Sequence, residues 1–259
     1  MMTLRASTGA RWVGVLCGAA ALVLLAGGCP TSSEGIDLSE VGELTLVVSR
    51  VSDATLATAT GQVVKASSPL SISQTEIILA DDQVLSVNDT ALTPTAWTEA
   101  GLDSVVTATV EAVDAPATYE IAFDNAGVTT SFKATPPEDF DDIEPDNGDE
   151  VSTEGFDLAW EASDDDDVAI SVTISGLTLA YDDNGILQVV THSISLTDLA
   201  DDGDLTIGST ELLPFLEGEI EVTLTRVKTI SQKLGFSAGT IVLEISQTLE
   251  LMLVEPESE

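Results

Sequence analysis

The chain has 259 residues and carries 45 Asp plus Glu against eight Lys plus Arg, a formal net charge of -37. A field this negative repels phosphate backbones, which excludes nucleic acid as a partner. Hydrophobic residues still make up 44%, more than a disordered acidic chain contains, so the sequence specifies a folded protein.

In chain order the first element is an export signal over residues 1–28. Arg5 and Arg11 precede an acid-free apolar stretch from Trp12 to Gly28, the layout of a charged region followed by an apolar core. The stretch lies near the lower limit of about 17 residues for a spanning helix, so an uncleaved anchor is the competing reading. Its end decides between them. Leu25-Ala26-Gly27-Gly28-Cys29 resembles the lipobox of bacterial lipoproteins, with Ala26 where that family most often has Leu. The resemblance implies cleavage before Cys29, a diacylglycerol thioether on its sulfur and palmitate-type acylation that holds the protein to a membrane. Cys17 would leave with the signal, so Cys29 is the only thiol of the mature chain and no internal disulfide can form. Two bases and no acid leave with it, which moves the net charge from -37 to -39. Residues 29–40, with Pro30-Thr31-Ser32-Ser33-Glu34-Gly35, read as a flexible tether.

Beyond the tether the apolar period is close to two, the mark of strands with one buried face. Leu44, Leu46 and Val48 begin the series; Ile77 and Leu79, Val105 to Val110, Tyr119, Ile121 and Phe123, and Val128, Thr130 and Phe132 continue it. Asp81-Asp82 and Asp124-Asn125-Ala126-Gly127 are turn signals. The composition then breaks. Residues 136–150 are rich in proline and acid, with Phe140 and Ile143 their only large apolar side chains. They read as an acidic linker between one domain at 41–135 and a second at 151–259.

The second half alternates more cleanly, through Phe156, Leu158 and Trp160, then Val168, Ile170, Val172 and Ile174, then Val190, Ile194 and Leu196, then Ile220, Val222 and Leu224. The longest run is the last, with Ile241, Leu243, Ile245, Leu249, Leu251 and Leu253 on one face. Only Ser209 to Leu216 looks helical, and Pro214 limits it to about one turn. The fold class this predicts is all-β, two antiparallel sandwiches in tandem. The order from Phe156 to Trp160, through an Asp-rich turn and Val168 to Ile174, to Gly218 to Arg226 is similar to immunoglobulin-like or fibronectin type III-like domains of bacterial surface lipoproteins. Tyr119 to Phe123 with its following turn is similar as well. No functional residue comes with that resemblance, and the Cys pair of antibody domains is missing.

Candidate sites are few. Calcium takes several oxygen ligands, and acids cluster at Asp81-Asp82, Asp139 to Asp149, Asp164 to Asp167, Asp182-Asp183-Asn184 and Asp201 to Asp204. An EF-hand count from Asp142 puts Glu144 and Asp146 in place but finds glycine one position late, at Gly148, and Thr153 where Glu is needed. Asp142, Asp146, Asp164 and Asp166 therefore stand as calcium candidates only by bridging loops at the domain junction; acids that solvate turns are the plainer expectation. His192, the only histidine, falls in register with Val190, Ile194 and Leu196 and reads as a core or edge-of-core residue satisfied by a neighbour, ahead of a general base or metal ligand. No Gly-x-Ser-x-Gly elbow and no phosphate-binding loop occurs, and the six bases after the signal are scattered along the sequence. Trp97 and Phe140 are the aromatic residues outside clear strands, either exposed contacts for a glycan or loop residues folded back on the core.

The expectation is a lipid-anchored protein of the bacterial cell envelope, at the outer membrane or cell surface, with a non-catalytic binding or structural role. Its partners are the membrane, through the lipid on Cys29, and a protein or glycan. It needs no cofactor unless calcium binds, and no catalytic residue is assigned. The alternatives are a calcium-dependent adhesion or assembly module and a carbohydrate-active enzyme using two carboxylates.

Overall fold

The computed structural model describes residues 31–32, 37–65, 75–94, 105–181 and 184–256. Residues 1–28, where the sequence predicts an export signal, lie outside them, as do Cys29, Trp97, Asp182 and Asp183. The first half supplies β1 (Thr31–Ser32), a helical turn α1 (Leu38–Val41), β2 (Gly42–Val51), β3 (Leu56–Lys65), β4 (Thr75–Ile78), β5 (Gln83–Val87), β6 (Thr90–Ala91), β7 (Thr93–Pro94), β8 (Val105–Glu111), β9 (Tyr119–Asn125) and β10 (Val128–Ala134). The second half supplies β11 (Glu150–Ser152), β12 (Gly155–Ala159), β13 (Val168–Tyr181), β14 (Leu187–Ala200), β15 (Asp204–Gly208), α2 (Ser209–Leu212), β16 (Gly218–Ser231) and β17 (Ala238–Val254). The protein is all-β, and α2 is the single turn that Pro214 allows.

Each half is a sandwich. In the first, β2, β3 and β8 face the sheet β10-β9-β5-β6. In the second, β17-β16-β13-β14 faces the short pair β12-β15. Both arrangements are immunoglobulin-like: sequence-adjacent strands switch sheets, and β11 lies parallel to the last strand, β17. Tyr119 adds a further hallmark. Buried at the start of β9, it accepts the Val113 backbone N–H at 3.2 Å on its hydroxyl, a tyrosine corner. Burial pushes the phenol pKa above its usual value, and the hydrogen bond opposes that shift. Facing sheets approach closely at Gly61, where a Cβ would come within 2.6 Å of Leu85 Cδ2, so a larger residue there would have to displace the Leu85 side chain.

Two apolar cores result. One gathers Leu44, Leu46, Val48, Leu85, Val87, Tyr119, Ile121 and Phe123, among others. The other gathers Leu158, Trp160, Ile170, Val172, Ile174, Val222, Leu224, Leu249 and Leu251. Membership is not contiguous in sequence. The long hairpin β16–β17 starts in the second sandwich and carries its tip into the first, where Leu234, Phe236, Ile241 and Leu243 join the N-terminal core. Phe236 meets Phe123 with ring centroids 4.5 Å apart. The first half of β17 pairs in parallel with β2, from Ala238 beside Glu43 to Ser246 beside Val51, while β17 pairs antiparallel with β16 along its length. One sheet therefore runs through both sandwiches. Residues 136–149 are pinned as they cross: Pro136, Pro137 and Phe140 are buried, and Glu144 exchanges two 2.9 Å backbone hydrogen bonds with Ala159.

Candidate functional site: the cleft between the two cores

The shared sheet has a row of inward-facing residues at its waist. Strand register aligns Arg50 of β2 with Ile245 of β17, Ile245 with Arg226 of β16, and Arg226 with Ile170 of β13. Both arginines continue an apolar alternation, Arg50 after Leu44, Leu46 and Val48, and Arg226 after Ile220, Val222 and Leu224. They therefore point into the seam between the cores, and their side chains are each 2% exposed.

Arg226 is well satisfied. Its Nε donates to Asp201 Oδ2 at 2.8 Å, Nη1 donates to the carbonyls of Glu138 (3.2 Å) and Asp139 (2.6 Å), and Nη2 donates to the Glu161 carbonyl. Its guanidinium carbon lies 4.6 Å from the centroid of the Phe140 ring, a cation–π contact on the face of the fork that makes no hydrogen bonds. Asp201, 3% exposed, is completed by the Trp160 indole N–H at 2.6 Å. A buried charge is tolerated when its partners are this complete.

Arg50 has fewer partners. Nη2 donates to Asp139 Oδ2 at 2.8 Å. Nη1 stands 3.0 Å from the exposed Asp114 carboxylate in an ion pair without hydrogen-bond alignment, and Nε has no acceptor. Asp139 is the hub, since its other oxygen accepts from the Ser52 hydroxyl at 3.1 Å and the Asp53 backbone at 3.4 Å. Lys228, two residues beyond Arg226, donates to Asp165 and holds that carboxyl pKa below its ordinary value; the hydrogen bond is the larger cause. Three of the six bases beyond residue 28 thus meet at the waist although the sequence scatters them. The signal that could have located two of them is a base standing in an inward strand register.

Between the cores opens a cavity of about 330 Å3 lined by Asp114, Glu138, Asp139, Asp141, Glu161 and Arg226. A groove of about 520 Å3 adjoins it, lined by Pro116, Pro136, Glu138, Asp164, Asp165 and Asp166, among others. The linker and the 164–167 turn do meet at the junction, as the calcium reading requires. Of its four residues, Asp164 and Asp166 line the groove with Glu138, whereas Asp142 and Asp146 line neither cavity. Asp146 instead closes a local turn, its backbone N–H donating to Asp149 at 3.0 Å. Among the described residues no three acids or histidines converge with metal-ligand geometry.

Phe140 folds back on the core beneath Arg226. His192 is half-buried in register with Ile194 and Leu196, its ring centroid 5.7 Å from that of Phe215. Glu244 was not singled out by the sequence. It sits on β17 opposite the core face, is 5% exposed, and leaves Oε2 without a partner. Desolvation pushes its pKa up to about 7.

No family model matches the chain, and no curated protein matches it. Among solved structures it is similar to a SusE-like surface located polysaccharide binding protein from the Bacteroides thetaiotaomicron heparin utilisation locus, at 9% identity and a TM-score of 0.23. That match covers 82% of this chain and 34% of the other, so the chain spans about a third of that protein's length. The FN1-FN3 domains of chicken CNTN1 match at 12% identity and a TM-score of 0.19, covering 84% and 69%. At these values the comparisons add nothing to the fold already read from the strand pairings.

Proposed function

We propose that the protein is a lipid-anchored component of a bacterial envelope, at the outer membrane or cell surface, held by an acylated Cys29 and serving a non-catalytic binding or structural role. The observation that carries this reading is the hairpin β16–β17. By running through both cores it makes them one body, with the N-terminal strand β1 at one end of the sheet order and β14 at the other. A body of that kind holds a surface at a fixed reach from its anchor. The waist supports the same role: Arg50 holds the crossing segment through the Asp139 carboxylate and Arg226 holds it through the Glu138 and Asp139 carbonyls, which is structural work.

The test is an intact-mass spectrum of the native protein with a Cys29→Ala control. A mass beginning at residue 29 with added diacylglycerol, absent from the control, is the expected result. A chain starting at residue 1, or at an unmodified Cys29, refutes the anchor.

A calcium-dependent assembly module is the second reading, resting on the meeting of the linker and the 164–167 turn along one groove, where the acids do not converge as ligands among the described residues. Thermal unfolding in EDTA, calcium, magnesium and matched sodium chloride separates the two. Saturable stabilisation by calcium alone supports the second reading, because only a ligand bound to the native state acts that way. Equal effects of all salts are screening of net charge.

A further inference from the structure

The chain has four asparagines, and two of them stand in the same tripeptide, Asp146-Asn147-Gly148 and Asp183-Asn184-Gly185. An asparagine followed by glycine is a self-reactive pair. The glycine nitrogen can attack the asparagine side-chain carbonyl carbon, because no β-carbon stands beside that nitrogen. Asn147, Gly148, Asn184 and Gly185 are all exposed, so exposure does not separate the two pairs. Hydrogen bonding does.

Asn147 is held against β17. Its Oδ1 accepts the Glu250 backbone N–H at 2.6 Å, and the Gly148 N–H, the group that would attack, donates to the Glu250 carbonyl at 2.7 Å. Both reacting groups are thus engaged on one residue of the longest strand. Asn125 is held in the same way: its Oδ1 accepts from Gln83 Nε2 at 3.1 Å, and the following Ala126 N–H donates to the Asp82 carbonyl at 2.9 Å. Asn88 accepts the Glu120 N–H at 2.9 Å and is followed by a bulkier residue, Asp89. Asn184 lies in the turn that joins β13 to β14. Gly185 has a φ of 75°, and a Cβ added to it would meet nothing within 4 Å. Among the described residues its N–H makes no hydrogen bond, in contrast to that of Gly148. Tyr181 and Leu187, the last pair before the turn, are 74% and 49% exposed, so the turn can change shape without disturbing either core.

We propose that Asn184 is a site of spontaneous deamidation in the native protein, while the fold shields Asn147. The Gly185 nitrogen bonds to the Asn184 side-chain carbonyl carbon and gives up its proton, the side-chain nitrogen leaves as ammonia, and a cyclic imide remains. Water then opens one of the two ring carbonyls. One opening gives aspartate; the other gives isoaspartate, in which the main chain runs through the former side-chain carbon. Water is the only co-reactant, and either product adds a negative charge to the tip of the hairpin. Reaction at Asn147 first requires its two hydrogen bonds to Glu250 to open, which lowers its rate by the population of the open state.

The experiment ages the full chain at mildly alkaline pH and follows both asparagine-glycine peptides in one digest by mass spectrometry, with isoaspartate assigned from its main-chain fragmentation. The expected result is conversion at Asn184 at least about ten-fold faster than at Asn147, the factor set by opening one or two net hydrogen bonds. In urea that unfolds the chain the difference should vanish, because both sites are then the same Asp-Asn-Gly tripeptide. Gly185→Ala, which places a β-carbon beside the attacking nitrogen, should slow Asn184 and leave Asn147 unchanged. Equal rates in the folded chain, faster conversion at Asn147, or a native ratio that survives urea overturns the proposal.

Discussion

The waist and the far end of the large sheet distribute their side chains in opposite ways. At the waist an inward row buries the guanidiniums of Arg50 and Arg226; at the far end Leu177, Leu179, Tyr181, Leu187 and Val189 stand in solvent. The difference traces to what lies opposite. The waist faces the crossing segment around residues 138–140, whose Asp139 carboxylate accepts from Arg50 and whose Glu138 and Asp139 carbonyls accept from Arg226. Leu177, Leu179 and Tyr181 alternate with the inward Ile170, Val172 and Ile174, so with Leu187 and Val189 they stand on the outer face of the hairpin β13–β14. A strand row becomes a core only on the face that a second layer covers, and a buried charge is stable only where that layer is polar.

The sharpest way to break this contrast is Arg226→Met, which leaves Asp201 buried and unpaired. Losing one partner of a buried pair costs about 3–5 kcal/mol, so urea unfolding should show a drop of that size; a loss below about 1 kcal/mol would refute the account of the waist. Phe236→Ala tests whether the hairpin tip is part of the first core. Removing a buried phenylalanine costs about 3 kcal/mol or more, and protection of β9 amides from hydrogen exchange should fall with it.

Effects of pH come next, and two groups act with opposite signs. Glu244 has a folded pKa of about 7, above its ordinary 4.5. The native state therefore binds the proton more tightly, and stability falls as pH rises from about 4.5 to 7. Glu244→Gln should remove that slope and raise stability by about 2 kcal/mol at pH 8, with little change at pH 4. Asp165 has a lowered pKa, so its contribution is present above pH 4 and lost as the pH falls through the folded value; Asp165→Asn should flatten the acid limb. The smallest effect belongs to the exposed hairpin. Leu187→Lys with Val189→Lys should change stability by less than about 0.5 kcal/mol, because each loses only a solvent-exposed cross-strand contact, with Tyr181 and Leu179 respectively.

Much of the architecture is legible in the alternation. Val168 to Ile174, Ile220 to Leu224 and Ile241 to Leu253 show which face is buried, and His192 falls at the edge of the core as its register says. Periodicity is silent on neighbours. Nothing in Leu44 to Arg50 reveals that β2 lies parallel to a strand almost two hundred residues later, since pairing depends on the assembled sheets. The junction was legible as a composition break, but its chemistry was not. Arg50 and Arg226 become informative only when each is read as the next member of an apolar series. Acid clustering proved a poor guide, for Asp164 and Asp166 reach the groove while Asp142 and Asp146 do not.

The route of β17 also governs the order in which the molecule can assemble. Ser237 donates to the Gly42 carbonyl across 195 residues, and Ser246 to that of Arg50 across 196. The first sandwich is therefore missing a strand and the Phe236 plug until almost the whole chain is in hand. Contacts this remote close late, because the loop entropy is lost before they form. A chain made from its N-terminus thus leaves the first sandwich open during synthesis, and its two halves close together once the last strand arrives.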